Sequence, residues 1–432
     1  MSTRPGRVVA PSPLQDMSLR SWRLKVFGQN LPVWLLLLAV GGLCVYVGGR
    51  QWTSTGGTFA DIHTVLESKQ RELALKQALF APAALSAGQP AGAAVQPVPQ
   101  SVKKCPPIRG RVDVFVAVVT ESYKTHYHVA QSTLRCYLKG TDYRLRLVDL
   151  NTDQRVKDEC PHKQLFFRKH CAASVYLGDA DWMLVLDADT GVVNPDHCIE
   201  EYIDERVELV FYERFFNWEM ASGNYIAKNT PAVKKFLRRW ADYQFEQPSN
   251  WNGADNGVLQ ILLLETLVPD AQPEIRTCHK IWRQGKDYNT YMRYVMCCKA
   301  SLGARRLWLD DRSAVKVMLL RRGHGWVRDG FLSGDKWCDA DFMFHGWKAS
   351  KVGESGWLSP FKHILNETEC GVGTQGWAWR ESYHISTEAV KTSLANFERS
   401  TAKNFPKEAH SYHFLTESDV GECWPSCEGR RR

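Results

Sequence analysis

No part of this chain carries a basic stripe of the kind that a nucleic-acid surface needs. The formal net charge is +8, but Arg4, Arg7, Arg20, Arg23 and Lys25 against Asp16 hold +4 of it and Arg430 to Arg432 hold +3. The body is left near +1 with only isolated pairs such as Arg238-Arg239 and Arg321-Arg322. That speaks against nucleic acid as a partner. Paired Cys-x-x-Cys motifs at finger spacing are also missing, which speaks against structural zinc. Charge is missing altogether from Leu31 to Gly49, and again from residues 81–100, where Ala, Pro and Gly leave little to bury.

The first uncharged run has 19 mostly apolar residues, enough at about 1.5 Å per residue to cross a hydrocarbon layer of about 30 Å. A cleaved signal peptide is the rival. Its apolar core is usually about 7–15 residues, and no Ala-x-Ala-like site stands before Arg50. The reading is therefore a cytosolic tail (1–30), a transmembrane anchor (31–49) and a stem and linker (50–104). A folded domain follows (105–353), then a Cys- and Trp-containing extension (354–432). Basic residues precede the span, so the positive-inside rule sends the body across the membrane, as in a single-pass type II protein of the Golgi or ER. Asp61 to Phe80 is rich in helix formers without a clean heptad repeat, which leaves open a stem-mediated oligomer beside a plain spacer.

Of the 13 cysteines, Cys44 falls in the span and twelve lie beyond it, a number that suggests disulfides in an oxidising compartment without fixing the pairing. Asn366-Glu367-Thr368 is a glycosylation acceptor on the same side. Trp377, Trp379 and Trp424 can either offer faces to a sugar or pack a disulfide-stapled extension.

Within the folded domain, Asp113 to Val119, Tyr143 to Leu150 and Trp182 to Leu186 read as strands separated by helices, the pattern of an α/β fold with a parallel sheet. Trp182 to Leu186 is apolar throughout, as in a strand buried on both faces, and it empties into Asp187-Ala188-Asp189. An isolated Asp-x-Asp is more often a solvated turn. At the carboxyl end of a buried strand, two carboxylates can instead share a divalent cation with substrate phosphates. Further on, Met220 to Asn224 and Asn252 to Gly257 are small, polar loops between core elements, and plain turns are their bland reading. A second apolar run ends in His345-Gly346-Trp347-Lys348. An imidazole can complete a metal set, Gly346 lets the backbone approach a ligand, and an ammonium can neutralise a diphosphate leaving group.

From about Val112 to Lys348 the sequence resembles retaining GT-A glycosyltransferases. It is nearest to the fungal α-galactosyl- and α-mannosyltransferase and plant xylosyltransferase group and to uncharacterised nematode relatives. The resemblance implies a GT-A, Rossmann-like fold in a single lumenal domain behind the anchor. It also implies Mn²⁺ or Mg²⁺ held by Asp187, Asp189 and His345. Ser222, Gly223 and Asn224 match that group's small-residue sugar loop, and Asp255-Asn256 matches its Asp-Gln, the asparagine leaving donor identity open. Lys348 stands where a basic residue reaches the diphosphate, and Arg168 or Lys169, on the helix before the aspartates, is placed either to touch the nucleotide or on a solvated helix face. The implied activity moves a hexose or pentose from a nucleotide diphosphate sugar, UDP-linked, to a lumenal glycan, glycoprotein or glycolipid. A lectin-like descendant without activity is one alternative. A phosphatase of the haloacid dehalogenase type is another, though it wants Thr or Val where Gly191 stands.

Overall fold

The computed structural model describes residues 23–26, 29–32, 105, 108–310, 313–349, 359–370, 375–425 and 427. The chain divides into two units, Met1–Lys69 and Gln70–Arg432. In the first, β1 (Arg23–Val26) pairs antiparallel with β2 (Gln29–Pro32). The expected membrane span began at Leu31, but Leu31 and Pro32 close this strand pair, in keeping with the extended backbone that a following proline imposes on Leu31. The rest of that span, and the stem and linker, lie outside the described residues. Among the described residues, no helix is long and apolar enough to cross a membrane.

The second unit is built on a seven-stranded sheet. Its strands are β3 (Val112–Val118), β4 (Arg144–Asp149), β5 (Trp182–Leu186), β7 (Leu209–Tyr212), β8 (Tyr225–Lys228), β9 (Leu307–Trp308) and β10 (Val317–Leu320). They stand in the order β4-β3-β5-β8-β7-β10-β9. β3, β4 and β5 are mutually parallel, as the strand–helix alternation predicts. β8 is antiparallel to both β5 and β7, and β9 antiparallel to β10, so the sheet is mixed. A three-stranded sheet adjoins it, with β11 (Val327–Asp329) parallel to β12 (Met343–His345) and β12 antiparallel to β6 (Gly191–Val192).

Side-chain alternation gives the large sheet two buried faces. Met183 and Val185 of β5, with Phe211 of β7, face one core. That core is completed by α2 (Gln154–Glu159), α3 (Leu165–Tyr176), α4 (Pro231–Asp242), α5 (Ala254–Leu267), α6 (Gln272–Arg283) and α7 (Tyr288–Leu302). Trp182, Leu184 and Leu186 face the other core, closed by α1 (His128–Lys139) and by aromatic residues from the end of the chain. The unbroken apolar run of β5 is thus the consequence of burial on both sides. α4 begins as its sequence dictates, with the Thr230 hydroxyl accepting from the Val233 amide at 3.3 Å and proline in the first turn, a cap worth about 1 kcal/mol.

Ten of the twelve cysteines expected to pair do so: Cys105–Cys198, Cys136–Cys370, Cys160–Cys171, Cys278–Cys297 and Cys423–Cys427. Cys298 and Cys338 are buried and not disulfide-bonded among the described residues, so the even count overstated the pairing. The residues after 358 join the body directly. Cys370 is bonded to Cys136 on α1, and the Trp379 indole donates to the carbonyl of Val193 at 2.8 Å. Trp377 and Trp379 stack with centroids 5.4 Å apart, and both are buried. They pack the second core, which resolves the two readings of these tryptophans in favour of packing.

Candidate metal centre

Three strand ends converge because of register. β5 runs out at Leu186 and hands Asp187 and Asp189 to its carboxyl edge. β8 is antiparallel, with Val185 opposite Tyr225, so the residues just before it, Ser222 to Asn224, fall beside Asp187. β6 begins at Gly191 opposite Phe344 of β12, which sets His345 against the Asp-Ala-Asp turn. The amides of Gly346 and Trp347 then both donate to the Asp189 carbonyl, at 3.1 and 2.9 Å. Gly346 has φ +97°, which a side chain would strain, so the turn needs glycine there.

Asp187, Asp189 and His345 each offer a ligand atom within 4.8 Å of the others. His345 Nε2 is 3.3 Å from Asp189 Oδ1 and 3.7 Å from Asp187 Oδ2. Lys348 Nζ stands 3.4 Å from the other Asp189 oxygen. On the far side Lys169 Nζ donates to Asp187 Oδ1 at 2.9 Å and lies 3.5 Å from Asp255 Oδ2. Two carboxylates and an imidazole at this spacing can hold a divalent cation.

The electrostatics favour a cation. Burial works against the charge of Asp187, yet Lys169 and His345 hold its carboxyl well below the usual range. Burial likewise opposes a proton on His345, but Asp189, Asp187 and Asp329 raise its affinity well above the ordinary value. The carboxylates that favour a charged His345 would also favour a metal ion, which would bind in competition with the proton. Lys169 is desolvated too, and the two aspartates raise its pKa, so it stays charged.

Asp255 closes the inner wall. Gly253 and Ala254, both at positive φ, turn the chain into α5 and set Asp255 in its first turn. Its Oδ2 accepts from His170 Nε2 at 3.1 Å, and its Oδ1 accepts from the Asn256 amide at 3.1 Å. Although burial raises it, Lys169 and His170 bring the carboxyl down to about 2. Burial pushes His170 down to about 4, leaving a neutral ring that stacks on Trp240 at 3.5 Å and contacts the Tyr225 hydroxyl.

The loop residues brace this assembly. Asn224 Oδ1 accepts from the Asp187 amide (3.1 Å) and the Thr190 hydroxyl (3.0 Å), while its Nδ2 donates to Tyr212 (3.0 Å). Ser222 donates its amide to Asn256 Oδ1, and Gly223 lies against Asp187. Gln131 of α1 donates to the Ala188 carbonyl between the two aspartates at 2.8 Å. The structure thus brings Asp187, Asp189, His345, Gly346, Lys348, Lys169, Asp255, Asn256 and residues 222–224 together, with Asn224 spending its side chain beneath the aspartates. Sequence reasoning missed Asp329, His170 and Gln131. His170 is next to Lys169 and was within reach. Asp329 ends a three-residue strand, too short for any pattern.

Residues 134–356, just over half of the chain, match the family described as "Protein of unknown function, DUF273". The chain belongs to that family. In this DUF273 chain, Asp187, Asp189, Asp255, His345 and Lys348 all fall inside the matched stretch. No curated protein matches the chain. Two solved structures are distantly similar. One is a glycosyltransferase involved in the glycosylation of the major capsid of PBCV-1, 16% identical with TM-score 0.26, covering 37% of this chain and 78% of that one. The other is the glycosyltransferase GlyE of Streptococcus pneumoniae TIGR4, 15% identical with TM-score 0.25, covering 35% and 43%.

Proposed function

We propose that this chain is a metal-dependent, retaining glycosyltransferase that moves a hexose or pentose from a nucleotide diphosphate sugar, UDP-linked, to a glycan, glycoprotein or glycolipid. The observation that carries this reading is the meeting of Asp187, Asp189 and His345 at the end of the central strand, with Lys348 against Asp189 and Lys169 against Asp187. Three ligands that leave open positions, flanked by two ammonium groups, suit a diphosphate better than a neutral substrate. A bound divalent ion would supply charge neutralisation at that diphosphate. Lys348 would share the developing charge of the leaving group, and Lys169 with Asp255 would fix the donor beneath it.

The motifs that resemble retaining GT-A enzymes support the same reading, as does the commitment of Asp255 to Lys169, His170 and Asn256, which makes it a poor base. Five disulfides favour an oxidising compartment. We place the enzyme in the Golgi or ER lumen, tethered as a type II protein by the uncharged run that follows Pro32.

A donor screen on the purified protein with Mn²⁺, reading nucleotide release, tests the proposal. Turnover should vanish in EDTA and return with Mn²⁺, while Asp189→Asn and His345→Ala should each lose most of it and keep the wild-type melting behaviour. Full turnover in EDTA would remove the metal from the reaction.

A further inference from the structure

We propose that Asp329 is the positioning residue that aims His345 at the metal. The inference rests on the metal reading above. β11 and β12 pair in parallel with Asp329 opposite His345, and Asp329 Oδ1 lies 2.9 Å from His345 Nδ1. A carboxylate only accepts, so Nδ1 must carry the proton. That leaves Nε2, the nitrogen that faces Asp187 and Asp189, as the atom able to bind a cation. A metal-binding histidine whose other nitrogen donates to a carboxylate has its ring orientation and tautomer fixed, and its basicity raised.

The support for Asp329 is itself rigid. The preceding residue, Arg328, makes a two-pronged pair with Asp341, Nε to Oδ1 at 2.5 Å and Nη2 to Oδ2 at 2.8 Å, which pins β11 beside β12. Arg214 Nη2 stands 3.7 Å from Asp329 Oδ1 and offsets its charge. Asp329 is 8% exposed, so water competes little for the bond. Without this acceptor the ring is free to carry its proton on Nε2, where it blocks a metal.

The test is direct titration of the metal-free, full-length chain with Mn²⁺, following free ion by electron paramagnetic resonance. Asp329→Ala should weaken binding by about 10–100-fold while the metal-free melting temperature stays near wild type. Asp329→Asn keeps an acceptor in place and should recover most of the affinity. Wild-type affinity in the alanine variant, or an asparagine variant as weak as alanine, overturns the inference. Nitrogen-15 spectra of the histidines in the wild-type chain, taken with Zn²⁺ as a diamagnetic probe, do not depend on either variant folding. The His345 signal, identified by its loss in His345→Gln, should show the proton retained on Nδ1; a proton on Nε2 overturns the inference as well. Failure of wild type to bind Mn²⁺ at all would remove the metal reading, whereas a binding wild type with an unaffected Asp329→Ala removes the role of Asp329 alone.

Discussion

Gly223 stands so close to Asp187 that a β-carbon on it would lie 1.8 Å from Asp187 Oδ2. Its backbone is not in the left-handed region, so what requires glycine here is the carboxylate beside it. The clashing atoms end a short side chain that can swing away. Gly223→Ala should therefore drive Asp187 out of its ligating position with little loss of fold. We expect Mn²⁺ affinity to fall by roughly tenfold or more, as for loss of a residue supporting a ligand, with a thermal midpoint close to wild type. Unchanged affinity by titration would mean that Asp187 does not bind the metal in the position found here.

Asp335 gives the fold a pH dependence of its own. Its residue is 3% exposed, its Oδ1 has no hydrogen-bond partner, and burial pushes the carboxyl up to about 7 against the pull of Arg328. In the unfolded chain it ionises near 3.9, as an ordinary aspartate does. Between about pH 4 and 7 the unfolded state thus binds fewer protons than the folded one, and stability falls as pH rises through that window. Asp335→Asn should remove this slope. Asparagine also tolerates the φ of +59° at this position. Urea unfolding at pH 4, 6 and 8 should find the variant close to wild type at pH 4 and more stable at pH 8, on the order of a few kcal/mol. Parallel pH profiles would show that the carboxyl is not held protonated.

Arg322 ties the end of the chain to the body. Its side chain is fully buried, lies over the Trp218 ring at 4.0 Å, and contacts Glu213 (3.2 Å), Glu398 (2.5 Å) and Asp419 (3.1 Å). Glu398 sits on α8 (Thr387–Lys403) and also accepts from the Asp419 and Val420 amides. Glu398→Ala would leave part of a buried cation uncompensated and take the acceptor from the Asp419 amide and the Ser418 hydroxyl, so unfolding should be easier by about 3–5 kcal/mol. A loss under about 1 kcal/mol in urea would show that Glu213 and Asp419 suffice.

What was legible in the sequence was what is local. Trp182 to Leu186 announced a doubly buried strand, and the Asp-Ala-Asp turn and His345 could be named as partners through the resemblance. Pairing between distant segments was not legible. Nothing in Tyr225 to Lys228 says that this strand runs antiparallel beside β5, although that direction alone brings Ser222 to Asn224 against Asp187. Two- and three-residue strands such as Gly191–Val192 and Val327–Asp329 are too short for periodicity, yet their register sets His345 and Asp329 in place. The burial of Arg322 against Glu398 was not legible either, because a burial that each makes tolerable for the other leaves no trace in either segment.

The proposed retaining course has a stereochemical consequence. Inversion needs a base that takes the acceptor proton on the face opposite the leaving group, with a pKa near the working pH and room to reach that proton. Asp255, a carboxylate of the site outside the metal set, is the candidate for the task. In the structure it is 1% exposed, its oxygens are engaged by His170 and the Asn256 amide with Lys169 at 3.5 Å, and its pKa of about 2 makes it a weak acceptor of protons. If the acceptor instead enters on the face that the diphosphate leaves, a phosphate oxygen can take its proton and Asp255 steadies positive charge at the anomeric carbon. An α-linked nucleotide sugar should then give an α-linked product. Proton spectra of the first-formed product should show the small anomeric coupling of an axial bond for a gluco- or galacto-configured sugar. Asp255→Asn should lower turnover without changing that anomer. A large diaxial coupling in the wild-type product would mean inversion, and Asp255 would then have to be released from Lys169 and His170 to act as the base.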